Sequence, residues 1–311
     1  MITDRIDAIT GISGEFRGTY LPAPKSVKIE LTGRCNFSCA FCARSKKLRE
    51  VGDIDRKFFS RIIREMRDEG VEELGLFYLG ESFMVNWLPE AIYEAKDIGF
   101  PYVFLTTNGS LSGPDRVNQC MLAGLDSLKF SLNYADGDQL KEIARVKTGY
   151  FDKILSNIKS AYEVRERHKY NCGLYASYIE YDGEQGKRMM ETIKDVEPYL
   201  DEIYALPLYN QATLVSEEEK KRGWVASPGN RGRAGNMRDP LPCWAVFTEG
   251  HITYDGKLSA CCFDHNDALT MGDLNITPFM EAWNSKHFQD LRAAHLRKDV
   301  TGTPCEDCTV S

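Results

Sequence analysis

Cys35, Cys39 and Cys42, spaced C-x3-C-x2-C, can all point at one inorganic centre from a single short loop. A four-iron cluster takes four ligands, and thiolates are its usual protein ligands. Three thiolates leave one iron open to a ligand that is not protein, which suits chemistry better than electron storage. A structural zinc site would want a fourth ligand nearby, usually from a second C-x2-C unit or a histidine pair. The nearest histidine in sequence is His168, so the iron–sulfur reading is preferred.

A second group lies in the last quarter of the chain. Cys243 and Cys261, followed by the C-x2-C pair Cys305 and Cys308, can fully ligate one further metal centre. Spacing alone does not separate zinc from iron–sulfur there. Cys262 is left over. It either packs beside a ligand or is a free thiol, whose weak S–H bond can hand a hydrogen atom to a carbon radical. Cys120 and Cys172 stand in apolar surroundings and read as small buried hydrophobes.

These residues need a scaffold. From residue 26 the chain alternates strand-like runs (26–31, 74–78, 102–105, 128–132, 174–179 and 202–208) with helix-like runs. Pro114 sits where a helix should begin, and Gly70 and Gly124 where helices should end. Six strands with intervening helices predict an α/β fold, a parallel sheet open or partly closed as a barrel, with the ligand site at the carboxyl ends of the strands. The first cysteine loop follows the first strand directly, which puts it at that rim. Farther on, 229–236 is rich in Gly, Arg and Asn and reads either as an anion-binding loop or as a connector. Residues 245–248 and 251–254 suggest strands, and Asp255-Gly256 a hairpin turn. His251, His265, His287 and His295 show no metal-ligand spacing and are assigned surface or packing roles.

The composition is that of an ordinary globular protein, 42% hydrophobic and 27% charged over 311 residues. The net charge of −7 argues against a nucleic-acid partner, and no run approaches a membrane span. Ten cysteines and an N-terminus without a secretion signal predict a cytoplasmic, reducing setting.

The chain resembles the radical S-adenosylmethionine (SAM) enzymes, whose motif C-x3-C-x-aromatic-C is matched by Cys35, Cys39, Phe41 and Cys42. The resemblance implies a partial (β/α)6 barrel. It also implies a [4Fe–4S] cluster whose open iron chelates SAM, with Phe41 near the adenine. Gly80 and Glu81 stand where the family contacts the SAM amino group, although Leu79 replaces the family's first glycine. Asn108 lies in a Thr-Asn-Gly turn, Ser131 and Asn133 end the fourth strand near the SAM ribose, and Arg145 lies where many members place a base near the SAM carboxylate. The C-terminal hairpin, Met271-Gly272-Asp273-Leu274-Asn275, Trp283-Asn284 and the closing C-x2-C resemble the SPASM/Twitch region, which binds auxiliary [4Fe–4S] clusters. That resemblance decides for iron–sulfur at Cys243, Cys261, Cys305 and Cys308, with cysteines enough for one auxiliary cluster.

The expected organisation is an N-terminal extension (1–25), a radical SAM barrel (26–208), and a linker with a small α+β auxiliary-cluster domain (209–311). About 25 residues precede the first strand and one auxiliary site is expected, both favouring a small substrate such as a sugar or aminoglycoside. The expected reaction is epimerisation with Cys262 as catalytic hydrogen-atom donor. The alternatives are a sugar or cyclitol dehydrogenase and a peptide- or protein-modifying maturase. An external donor such as flavodoxin or ferredoxin would supply electrons.

Overall fold

The computed structural model describes residues 1–309. Six parallel strands build the core sheet: β1 (Ser26–Ile29), β2 (Glu73–Gly75), β3 (Tyr102–Thr107), β4 (Ser127–Ser131), β5 (Gly173–Ile179) and β6 (Glu202–Leu206). The helices are α1 (Ile2–Thr10), α2 (Arg56–Asp68), α3 (Leu88–Ile98), α4 (Pro114–Leu122), α5 (Gly137–Ala144), α6 (Tyr150–His168) and α7 (Gly183–Val196). Three further strands, β7 (Glu249–Ile252), β8 (Lys257–Ser259) and β9 (Thr270–Asp273), accompany α8 (Ser216–Arg222), α9 (Ala245–Thr248), α10 (Phe279–Trp283), α11 (Lys286–Leu296) and α12 (Glu306–Thr309). No helix among the described residues is long and apolar enough to cross a membrane.

The expected partial (β/α)6 barrel with a C-terminal α+β segment is what the chain forms. One feature differs from two separate units: β7 pairs in parallel with β1, so a single sheet runs β6-β5-β4-β3-β2-β1-β7-β8-β9. The register sets Lys28 opposite His251 and Ser26 opposite Glu249. Side chains two apart on a strand share a face, and Lys28, Glu249 and His251 therefore meet.

Local chemistry explains the elements. In α2, Phe59, Ile62, Ile63 and Met66 bury one helical stripe, and Asp55 caps the start by accepting from the Phe58 N–H at 2.9 Å. Such a cap contributes about 1 kcal/mol. α4 starts at Pro114 and Gly124 follows its end with φ +100°, as the sequence predicts. In β3, Val103, Phe104 and Leu105 are all buried, as befits a strand covered on both faces.

Residues 245–248 form a short helix instead of the expected strand. The Phe247 and Thr248 N–H groups bond back to Trp244 O at 2.9 and 3.1 Å, so the chain closes a turn before a ladder can start. The second strand is shorter than 74–78. After Gly75 the chain leaves the sheet towards the cysteine loop, and the Glu81 N–H bonds to Arg34 O at 2.8 Å. His251, His265 and His295 are buried and His287 is exposed.

Candidate active site

Cys35, Cys39 and Cys42 lie on the loop after β1, and the loop's backbone is tied down. Ser38 and Ala40 donate to Ala144 O and Ile143 O at 3.0 and 2.9 Å, satisfying carbonyls that the end of α5 leaves open. Arg44 donates to Gly33 O at 3.0 Å and Phe37 O at 3.3 Å. Gly80 lies so close that an added Cβ would sit 1.9 Å from Thr32 O. Only glycine lets the two loops meet.

The neighbouring polar groups form one network. Glu81 is buried and accepts from Asn108 N–H (2.8 Å), Thr107 O–H (2.9 Å) and Phe83 N–H (3.1 Å). Burial still raises its carboxyl above the usual range, the three bonds offsetting only part of the effect. The Asn108 side-chain amide donates to Asn36 Oδ1 at 2.9 Å and stands 3.9 Å from Cys35 Sγ. Tyr134, which sequence reasoning missed, brings its O–H within 2.7 Å of Cys39 Sγ. Its position directly after Asn133 was the available signal. The Phe41 ring lies 6.2 Å from the Tyr134 ring. Ser131 ends β4, and the Asn133 Oδ1 beyond it is buried without a partner. Arg145 is not drawn into this set. It caps α5 with φ 59°, its side chain is half exposed, and it pairs with Glu218 at 3.5 Å.

The donor set fits an iron–sulfur cluster with a small-molecule ligand. Burial raises the Cys35 thiol to about 11, and Cys39 and Cys42 shift upward for the same reason. None of the three forms a disulfide. Bound metal supplies the positive charge that turns such thiols into thiolates. The orphaned Asn133 acceptor suits a ligand that donates a hydrogen bond.

The second cysteine group also converges. Cys243, Cys261, Cys305 and Cys308 line one small apolar pocket of about 20 Å³. The Cys243 N–H donates to His295 Nδ1 at 3.1 Å, and Cys308 O accepts from the Gly229 N–H at 2.7 Å. Among the described residues, no three ligating side chains converge as around a single ion. Four thiols brought to one pocket from separate segments are the ligand set that an iron–sulfur cluster takes.

Cys262 faces elsewhere. It lines a cavity of about 270 Å³ inside the barrel, with Lys28, Thr106, Lys129, Tyr204 and Glu249. Asn230 donates to Cys262 Sγ at 2.9 Å. A hydrogen bond with Cys261, helped by Lys28 and Asn230, lowers the Cys262 thiol despite burial, while Cys261 moves up. The Gly- and Arg-rich loop acts here as an anchored connector. Arg233 bonds Asp7 of α1 at 3.0 and 2.7 Å, Arg231 bonds Arg238 O at 2.7 Å, and Asn230 reaches the cavity.

Residues 29–180 match the radical SAM superfamily, and residues 243–309 match SPASM, an iron–sulfur cluster-binding domain. The chain carries both domains and is a radical SAM/SPASM enzyme; they imply a SAM-binding [4Fe–4S] cluster and an auxiliary iron–sulfur cluster. It is 24% identical over 320 residues to a PqqA peptide cyclase of Xanthomonas campestris pv. campestris (strain 8004), covering 93% of this chain and 80% of that protein. A probable GTP 3',8-cyclase of Saccharolobus solfataricus is 32% identical over 143 residues, 45% of this chain and 44% of that protein, so under half of that relative's length is spanned. Among solved structures, Streptococcus suis SuiB bound to precursor peptide SuiA has a TM-score of 0.66 at 15% identity, covering 88% of this chain and 68% of that one. BtrN in complex with AdoMet and 2-DOIA gives 0.61 at 14%, covering 92% and 91%. At these identities the two structures share the fold.

The comparisons correct the expected substrate and reaction. The relatives matched across nearly the whole chain are peptide cyclases, so a sugar or aminoglycoside-like substrate and its epimerisation do not stand. The expectation inferred substrate size from a short N-terminal segment and a count of cysteines. Neither measures what the barrel admits.

Proposed function

We propose that this protein is a maturase that modifies a peptide or protein. The observation that carries this reading is the similarity to PqqA peptide cyclases over 93% of the chain. The likeness to SuiB, solved with a precursor peptide, supports a fold able to receive one.

In this reading Cys35, Cys39 and Cys42 hold a [4Fe–4S] cluster with one open iron. Gly80, Glu81, Asn108, Ser131, Asn133 and Phe41 surround SAM, and Cys243, Cys261, Cys305 and Cys308 hold one auxiliary [4Fe–4S] cluster. When bound, the first cluster and SAM supply a 5'-deoxyadenosyl radical that takes hydrogen from the substrate. An external flavodoxin or ferredoxin supplies electrons.

The chain's own residues position the groups that react. Glu81, held by three hydrogen bonds, is fixed to receive a cationic amine. Tyr134 orients Cys39. Cys262 offers its thiol to the barrel cavity, where a bound peptide can exchange a hydrogen atom with it. Arg145, held by Glu218, is left out of the SAM-binding set.

The test is anaerobic reconstitution, then SAM turnover with a peptide library and, separately, with sugars and cyclitols. Peptide-dependent 5'-deoxyadenosine, with a mass change or solvent deuterium in the peptide, is expected. Stimulation by sugars or cyclitols and by no peptide would overturn the proposal.

A further inference from the structure

We infer that Lys129 anchors a carboxylate of the substrate inside the barrel, an inference that rests on the peptide reading above. Lys129 projects from β4 into the cavity that Cys262 lines. The other charges of this cavity are matched. Arg5 pairs with Glu73 and lies over Phe104 at 4.0 Å. Lys28 pairs with Glu249 at 2.7 Å, and Glu249 also holds His251 at 3.0 Å. Lys129 donates only to the Tyr204 hydroxyl, at 3.1 Å, and among the described residues no carboxylate pairs with it.

An ammonium that is partly buried, with a phenol as its sole hydrogen-bond partner, loses hydration that one neutral bond does not replace. A bound carboxylate would replace it with a charge-assisted bond. The surroundings suit a short apolar stem ending in that charge. Phe104, Tyr204 and Leu206 form the wall beside Lys129, and α1 contributes Ile2, Ile6 and Ile9. The same cavity carries the Cys262 thiol, so a group held at Lys129 lies in the cavity that this thiol lines. Both an acidic side chain and a free peptide C-terminus offer this chemistry.

The test is calorimetric titration of the reconstituted, SAM-loaded protein with four probes: Ac-Ala-Glu-Ala-NH2, Ac-Ala-Gln-Ala-NH2, Ac-Ala-Gln-Ala-OH and glutarate. The glutamate peptide should bind about tenfold or more tightly than the amidated glutamine peptide, as befits a hydrogen bond to a charged group. Lys129→Met should abolish that difference and Lys129→Arg should retain it. Tight binding of the free-acid glutamine peptide instead would assign the anchor to a C-terminal carboxylate. Equal binding of all three peptides to the native protein, or discrimination that survives in Lys129→Met, overturns the anchor. If Lys129→Met does not fold, the native protein and Lys129→Arg decide by the same comparison. Lys129-dependent binding of glutarate without binding of any peptide keeps the anchor and overturns the peptide reading instead.

Discussion

Cys261 and Cys262 are adjacent in the chain yet line different spaces. Cys261 faces the hollow shared with Cys243, Cys305 and Cys308, and Cys262 faces the barrel cavity. The Phe263 N–H donates to Cys261 Sγ at 3.3 Å and Asn230 donates to Cys262 Sγ at 2.9 Å, so each thiol has its own partner. The sequence Cys-Cys therefore divides into one side chain placed for metal and one placed for substrate.

Iron content should separate the pair. Two four-iron clusters imply about eight iron atoms per chain. Cys261→Ala should fall towards about four, whereas Cys262→Ala should keep the native value. Iron and sulfide assays after anaerobic reconstitution check this. Equal losses in both variants would place both thiols on the metal.

Gly80→Ala tests the contact between the cysteine loop and the loop after β2. The new Cβ would sit 1.9 Å from Thr32 O and 2.7 Å from Arg34 O, both backbone atoms that cannot swing away. Overpacking of this kind costs about 3 kcal/mol. A lower melting temperature and poor iron retention at the first site are expected. Native melting with full iron refutes the steric requirement.

Tyr134→Phe removes an O–H from Cys39 Sγ while keeping the ring. Hydrogen bonds to cluster sulfur raise the reduction potential. Losing a bond of about 1 kcal/mol should lower the potential on the order of 40 mV for a one-electron couple. Redox titration monitored by electron paramagnetic resonance measures it, and an unchanged potential removes Tyr134 from the site.

His265 should make the fold acid-sensitive. Burial, with Arg49 and Arg44 nearby, lowers its imidazole to about 3. The unfolded group titrates near ~6.5, so below that pH the unfolded state binds a proton that the folded state refuses. Stability is thus lost as pH falls from about 6.5 towards about 3, at up to about 1.4 kcal/mol per pH unit. Urea unfolding across that range should give His265→Gln a shallower loss than the native protein. Parallel curves refute the assignment.

The sequence by itself determined what is local. The spacing of Cys35, Cys39 and Cys42 places three thiols on one loop whatever the rest of the fold does. Alternating strands and helices put that loop, Glu81 and Asn108 at the same rim of a parallel sheet, because successive parallel strands present the same ends. Tertiary structure decided which side each side chain faces. Pairing of β7 with β1 brings Lys28 to Glu249 across 221 positions of chain. Tyr134 reaches Cys39 from a different strand end, α5 turns Arg145 towards Glu218, and α1 closes one side of the cavity that holds Lys129. Local spacing is carried by covalent geometry, but the direction of a side chain depends on packing between distant segments. That packing also parts Cys261 from Cys262.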